Sequence, residues 1–463
     1  MRLRPTIVVA LSLAAAALPA IAQGPPPDSG KRTADTLSLD SLRARLERAE
    51  AAIAVLKQQI GDEAESAVHT RSRFRADLSA QILTNAFLTS GRVNNTDVPQ
   101  TVLQPATPGA AGPPPSNSDL GVTLRQSRIG LAASVDNVAG AVFAGDLDID
   151  FFGGAQNGPG DRRLFPEPRL RTARARVIWP KTELMIGSDT PLISQLNPLS
   201  LASVGSPDFS GAGNLWNWLG QIRLTQEIAA LGSGDERLTF AVTGALMTPY
   251  AAQAAPGEPD AVDAGERSKR PAMEGRLRIR WTGHEYGSTP SMSDALIGGS
   301  RGEIGIGMHK SWIATAPGTL TESHAVSVDA HVVLMRGVEV RGEAYTGRLL
   351  RGLGGGGIAQ NFGAPAAGAP AGTLGAPIRD QAGWAQINVQ PRETLISGVG
   401  CGIDLVNARD GATRLQNTVC AAHVDWRPVQ PLVFGLEYRQ LGTRYSSGVF
   451  GARHINLILG FEL

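Results

Sequence analysis

Ile455-Asn-Leu-Ile-Leu-Gly-Phe-Glu-Leu463 sets Ile455, Leu457, Leu459, Phe461 and Leu463 on one face of an extended strand. Strict alternation with an aromatic near the end fits a strand that turns one face to lipid and the other to a water-filled lumen. A lone strand of this kind could also lie at the edge of a soluble sheet, so the rest of the chain decides.

The same period recurs. Phe74, Ala76, Leu78, Ala80 and Ile82 alternate with Arg73, Arg75, Asp77, Ser79 and Gln81, and Val326, Val328, Ala330, Val332 and Leu334 alternate with Ser327, Asp329 and His331. A soluble sandwich hides its apolar face against a second sheet, whereas many long strands with charge opposite the apolar face fit a membrane barrel. Strands are predicted at 72–88, 121–135, 139–152, 168–179, 181–188, 218–230, 235–247, 272–283, 302–314, 322–335, 337–348, 379–391, 394–406, 413–427, 430–442 and 451–463. These make a sixteen-stranded antiparallel transmembrane β-barrel, an all-β fold wide enough for an aqueous channel. Long and short links alternate. The long ones are 89–120, 153–167, 189–217, 248–271 and 349–378; the short ones fall at Asp136-Asn137, Pro180-Lys181, Gly232-Ser233, Arg336-Gly337, Pro391-Arg392 and Pro428-Val429. Residues 284–301 are long where a short turn is expected.

Composition agrees. The chain has 463 residues, 42% of them hydrophobic, with mean hydropathy −0.06, which excludes a helical membrane protein. Forty-three basic and 42 acidic residues leave a net charge of +1, so nothing argues for a nucleic-acid partner. Residues 1–22, with Arg2 and Arg4 before an apolar run and Ala20-Ile21-Ala22 after it, read as a secretory signal peptide. Residues 23–36 read as a leader, and 37–68 as a periplasmic helix preceding a barrel over 69–463. In that helix Leu39, Leu42, Leu46, Ala49, Ile53, Leu56 and Ile60 form a heptad seam, a short α-helical coiled coil that favours self-association.

Cys401 and Cys420 sit symmetrically about Asp410-Gly411, a strong hairpin signal. They are therefore expected opposite each other on adjacent strands, in a hydrogen-bonded pair about 5.5 Å apart at Cα, and to form a disulfide. Charge that faces the lumen governs a pore. Candidate pore-lining residues are the basic ladder Arg276, Arg278, Arg280, the pair Arg174 and Arg176, and the acidic ladder Asp146, Asp148, Asp150. Guanidinium forks suit carboxylates, and opposed ladders would set a transverse field across the channel. Charge that only solvates the interior is the plainer alternative. The loop 189–217, with Asp189, Gln195, Asn197 and Asp208, is the candidate constriction. Trp179, Trp281, Trp312, Trp384, Trp426 and Tyr438 read as an interfacial girdle. No nucleophile or metal-ligand motif accompanies the histidines, so neither an enzyme nor a metal or other cofactor is expected.

Arg169-Leu-Arg-Thr-Ala-Arg-Ala-Arg176, Leu184-Met-Ile-Gly187 and Arg348-Leu-Leu-Arg-Gly-Leu-Gly-Gly-Gly-Gly-Ile-Ala-Gln360, behind a signal segment and heptads, resemble the DcaP-like porins. The resemblance implies a homotrimer in outer-membrane lipid, inserted by the barrel-assembly machinery, with the N-terminal helices in the periplasm. It also implies passage of small anionic solutes of the dicarboxylate type. Ser188-Asp-Thr190 and the terminal Leu463 depart from the family pattern. The alternative expectation is a non-selective or structural barrel whose coiled coil contacts the cell envelope.

Overall fold

Alternation fixes which way each side chain points, and hydrogen-bond pairing then closes the sheet on itself. The computed structural model describes residues 74–105, 118–153, 164–233, 237–255, 258–281, 302–316, 318–335, 337–370 and 372–463. The expected signal peptide, leader and heptad helix, and residues 284–301, lie outside the described residues.

The strands are β1 (Phe74–Ser90), β2 in two pieces (Ser118–Thr123 and Arg128–Val138), β3 (Ala141–Gly153), β4 (Glu167–Ile178), β5 (Thr182–Asp189), β6 (Leu219–Leu231), β7 (Leu238–Met247) and β8 (Ala272–Trp281). They continue as β9 (Gly302–Ala316), β10 (Thr319–Met335), β11 (Val338–Arg348), β12 (Arg379–Arg392), β13 (Leu395–Val406), β14 (Arg414–Trp426), β15 (Leu432–Tyr445) and β16 (Gly448–Glu462). Each pairs antiparallel with its sequence neighbours, and β1 pairs with β16, Ile82 opposite Phe461 and Leu88 opposite Ile455. Leu463 N donates to the Ala80 carbonyl at 2.8 Å, so the terminal strand is the closing one.

Both pieces of β2 pair with β1, so the cylinder has sixteen strand positions although the second is interrupted. The interruption turns Arg125 inward, where it meets Asp97 at 2.9 Å and lies 3.9 Å from the Phe152 ring centre. The first short turn is Ala139-Gly140, not Asp136-Asn137. Both turn residues have positive φ, 52° and 76°, the two-residue geometry that matches strand twist.

The outward face is apolar. Leu436, Leu457 and Leu459 are more than half exposed, as lipid-facing residues of an isolated barrel should be. Trp179, Trp426 and Tyr438 also point outward. Trp384 does not: it is 4% exposed on the inner face and stacks on Phe209 at 5.8 Å between ring centres. Its parity with Asp380 and Gln386 places it inside.

Cys401 pairs with Cys420, with sulfurs 2.14 Å apart. Their Cα separation is 4.0 Å, so this is the narrow pair and not the expected wide one. The loop between them is also broader than two residues. Ala408–Asp410 form a 3-10 turn, and the strands end at Val406 and Arg414. The centre of symmetry was right and the turn type wrong.

The inner face is not uniformly polar. Ala245, Ala325, Ala382, Val419, Leu441 and Ala452 are inward and buried, and they pack with the apolar residues of the 190–218 segment. Those inward apolar positions mark where that segment lies.

Candidate functional site

Residues 190–218 leave the end of β5, enter the barrel and run along the inner wall before rejoining at β6. Burial of Leu192, Ile193 and Leu215, each 0–1% exposed, contributes about 1.5–3 kcal/mol per side chain as an upper bound. Hydrogen bonds fix the path. Leu192 N and Ile193 N donate to Glu274 at 2.5 and 3.2 Å, and Ser194 Oγ donates to Glu343 at 2.6 Å. Leu199 exchanges two bonds with Gln386, Ser203 Oγ donates to Asp208 at 2.8 Å, and Arg439 forms an ion pair with Asp208 at 2.8 Å.

Inward glycines make room for it. A Cβ on Gly402 would come within 2.1 Å of the Ala212 carbonyl oxygen, and one on Gly307 within 2.8 Å of Ile193 Cα. The second stem of the segment is held from above by the 348–360 stretch. Asn217 N and Nδ2 donate to the Leu353 and Gly352 carbonyls, and Leu350, Leu353 and Ile358 are buried.

With the segment seated against β8–β16, a cavity of about 660 Å³ remains on the side of β1–β6. Five arginines (Arg128, Arg171, Arg174, Arg176, Arg223) and five carboxylates (Asp77, Asp146, Asp148, Glu183, Asp189) line it, with Gln195 and Asn197 from the inserted segment. A β-bulge at Arg171 explains the density of arginine. Asp148 pairs with Thr172 and Ile149 with Leu170, so Arg171 is an extra residue. The parity shift lets Arg169 and Arg171 reach the lumen together with Arg174 and Arg176.

Charges are paired locally. Arg174 meets Asp146 at 2.7 Å and Asp189 at 3.5 Å; Arg176 meets Asp146 at 3.2 Å; Arg223 meets Asp189 at 3.1 Å. Arg128 holds Asp148, and Arg169 meets Asp150 at 2.6 Å. The acidic ladder on β3 and the basic one on β4 are adjacent strands in register. They cancel side by side instead of setting a field across the channel, which corrects the expectation of opposed ladders. Arg171 is the exception: it lies 3.9 Å from Asp148 and 3.8 Å from Asp150, and 4.7 Å over the Trp218 ring. Its Nε and Nη1 make no hydrogen bond among the described residues.

The structure separates the sequence-predicted residues into two groups. Arg174, Arg176, Asp146, Asp148, Asp189, Gln195 and Asn197 come together around the cavity. Asp150 lies behind it, 0% exposed under Arg169. Asp208 is buried behind the inserted segment on Arg439, not in the opening. Arg276 is 4% exposed and is held by Asp329 and Glu303 beneath Leu192, so it supports the segment from below. Arg280 meets Glu303 at 2.7 Å, and it and Arg278 lie inward on β8 but outside this cavity. Sequence reasoning missed Arg128 and Arg223 because each stands alone on its strand. It left Arg171 out of the pore-lining set because the bulge left no signal in the alternation.

No protein-family model matches the chain, and no curated protein matches it. Among solved structures, the outer membrane channel DcaP of Acinetobacter baumannii aligns with a TM-score of 0.60 at 14% identity, covering 85% of this chain and 99% of that one. An anion-selective porin from Comamonas acidovorans aligns at TM-score 0.49 and 11% identity over 84% of this chain and 100% of that one. OmpT, an outer membrane protein of Vibrio cholerae, aligns at 0.48 and 9% over 86% and 99%. The chain shares the fold of the DcaP channel.

Proposed function

We propose that this chain is an outer-membrane porin that passes small hydrophilic solutes by diffusion, with a preference for anions. The apolar outer face and the water-accessible, charge-lined cavity support the channel reading, because a structural barrel has no need of a lined opening. The observation that carries the anion preference is Arg171, a guanidinium in the cavity wall whose nearest carboxylates, Asp148 and Asp150, stay 3.9 and 3.8 Å away without a hydrogen bond to its Nε or Nη1. The lining is formally balanced, and three of its five acids, Asp146, Asp148 and Asp189, each hold an arginine at closer range. A guanidinium held this loosely is the one for which a passing carboxylate competes best.

Reversal potential in a planar bilayer under a salt gradient tests this reading. Anion selectivity that falls in Arg171→Gln supports it; cation selectivity, or no conductance, overturns it. The homotrimer belongs to the same proposal and draws on the heptad seam of residues 39–60. Native mass spectrometry of the full chain, compared with one lacking that seam, tests it.

A further inference from the structure

We propose that the barrel carries, on its outer wall at the long-loop end, a docking groove for a phosphorylated acyl lipid of the surrounding leaflet. The inference rests on the reading of this chain as a membrane barrel and concerns a face that takes no part in permeation.

Four basic side chains stand in one line across four adjacent strands. Lys310 on β9 pairs with His324 on β10, His324 with Arg348 on β11, and Arg348 with Arg379 on β12. All four share parity with the outward residues Met308, Val326, Thr346 and Gln381, so the row faces the bilayer side and not the lumen. Lys310, His324 and Arg379 side chains are 47%, 51% and 57% exposed. Two acids reach this row. Glu322 lies 3.0 Å from Lys310 and 3.3 Å from His324, and Asp410 lies 2.6 Å from Arg379. Arg348 gives only its Nε, to the Glu322 carbonyl at 2.9 Å. Like charges directly opposite on paired strands repel, and no acid of the described residues bonds Arg348.

Below the row the wall is hollow. A groove of about 590 Å³ at His324, Arg348 and Arg379 adjoins an apolar one of about 870 Å³. The two share Val326, Thr346, Gln381 and Leu405. The hollow exists because outward positions that carry Leu or Ile elsewhere carry Ala344, Gly383, Ala385 and Cys401 here. Three cations and a histidine above an apolar trough match an amphiphile with a phosphate head and acyl tail. Guanidinium forks take phosphate oxygens bidentately, and the tail fills surface that no side chain covers. Trp312 stands at the same rim with Lys310 Nζ 5.6 Å and Arg270 5.1 Å from its ring, as an interfacial anchor would.

The test uses the full chain, delipidated in neutral detergent and titrated with hexa-acylated bis-phosphorylated lipid A. Bound lipid is counted by native mass spectrometry. Wild type should retain lipid, Arg348→Ser with Arg379→Ser should weaken it at least tenfold, and the double Lys variant should recover most of it. Ala385→Phe, which fills the trough without touching the charges, should weaken it as well. Equal retention by the wild type and the double Ser variant overturns the proposal. So does competition by inorganic phosphate alone at lipid concentrations, since the acyl part would then contribute nothing. Conductance of the same preparation separates this from the porin reading: conducting channels without lipid retention overturn the groove alone.

Discussion

Asp189 is the lining acid whose loss should most change what the channel admits. It stands at the end of β5, 3.1 Å from Arg223 and 3.5 Å from Arg174, so Asp189→Asn releases two guanidinium groups at once and adds one positive charge to a balanced wall. For an ion passing about 5 Å away in water, one unit charge is worth about 0.8 kcal/mol, or about 0.5 kcal/mol after screening at 0.1 M salt. Anion entry then rises about twofold and cation entry falls by about the same factor, which moves the permeability ratio roughly fivefold. The assay is reversal potential under a salt gradient, repeated at 1 M salt, where the Debye length of about 3 Å should suppress most of the change. An unchanged ratio, or a shift toward cations, refutes the assignment of this cavity as the conducting constriction. Gln221 Nε2 bonds the main-chain carbonyl of residue 189 at 2.9 Å, a bond that Asp189→Asn leaves in place.

Asp208→Ala leaves Arg439 with Glu437 alone, and breaking a buried pair costs about 3–5 kcal/mol. Single-channel recordings should show added flicker as the inserted segment loosens; a quiet trace at wild-type conductance contradicts the role given to Asp208. Gly402→Val should raise conductance by displacing the segment from β13, measured in the same recordings. Cys401→Ser with Cys420→Ser removes a link across 19 residues, and urea unfolding should report a loss of about 3 kcal/mol. Arg379, through its side-chain hydrogen bond and charge, holds the Asp410 carboxyl below its ordinary range. Because the folded-state value is the lower one, the pair's stabilisation is present above about pH 4 and lost as pH falls through the folded value. The thermal midpoint of the wild type should therefore approach that of Asp410→Asn as pH is lowered toward 2; parallel curves contradict this.

The barrel was legible because two-residue alternation survives in nearly every strand, and long and short links punctuate it. Leu277, Ile279 and Trp281 against Arg276, Arg278 and Arg280 give both faces of β8 directly. The site was less legible because parity says only that a residue faces inward, not whether something covers it. Arg276 and Arg174 look alike in sequence, yet one lies under Leu192 and the other in the opening. A clue was present in the inward positions of β13, where Gly398, Gly400 and Gly402 leave the wall bare. Glycine at a lumen position signals a close approach; Gly402 marks part of the seat of the inserted segment, while Gly398 and Gly400 lie against His423 and Gln386 of the neighbouring strands. The Arg171 bulge had no such trace, since one added residue changes parity without changing composition.

The inserted segment bridges the line where the barrel's first and last strands meet. Leu201 and Ala202 pack with Leu83 of β1, Val433 of β15 and Ile458 of β16, and Asn85 Nδ2 reaches both the Leu201 carbonyl and Asn456 Oδ1 at 3.4 and 3.2 Å. That part of the seat takes Leu83 and Asn85 from the first strand, Val433 from β15, and Ile458 and Asn456 from the last, so it is complete only in a cylinder that has shut. An unsealed barrel would keep the anchors on Glu274, Glu343, Gln386 and Arg439 but lose this one. Closing the wall therefore completes the seating of the segment, and a damaged seam would loosen it at Leu201 and Ala202.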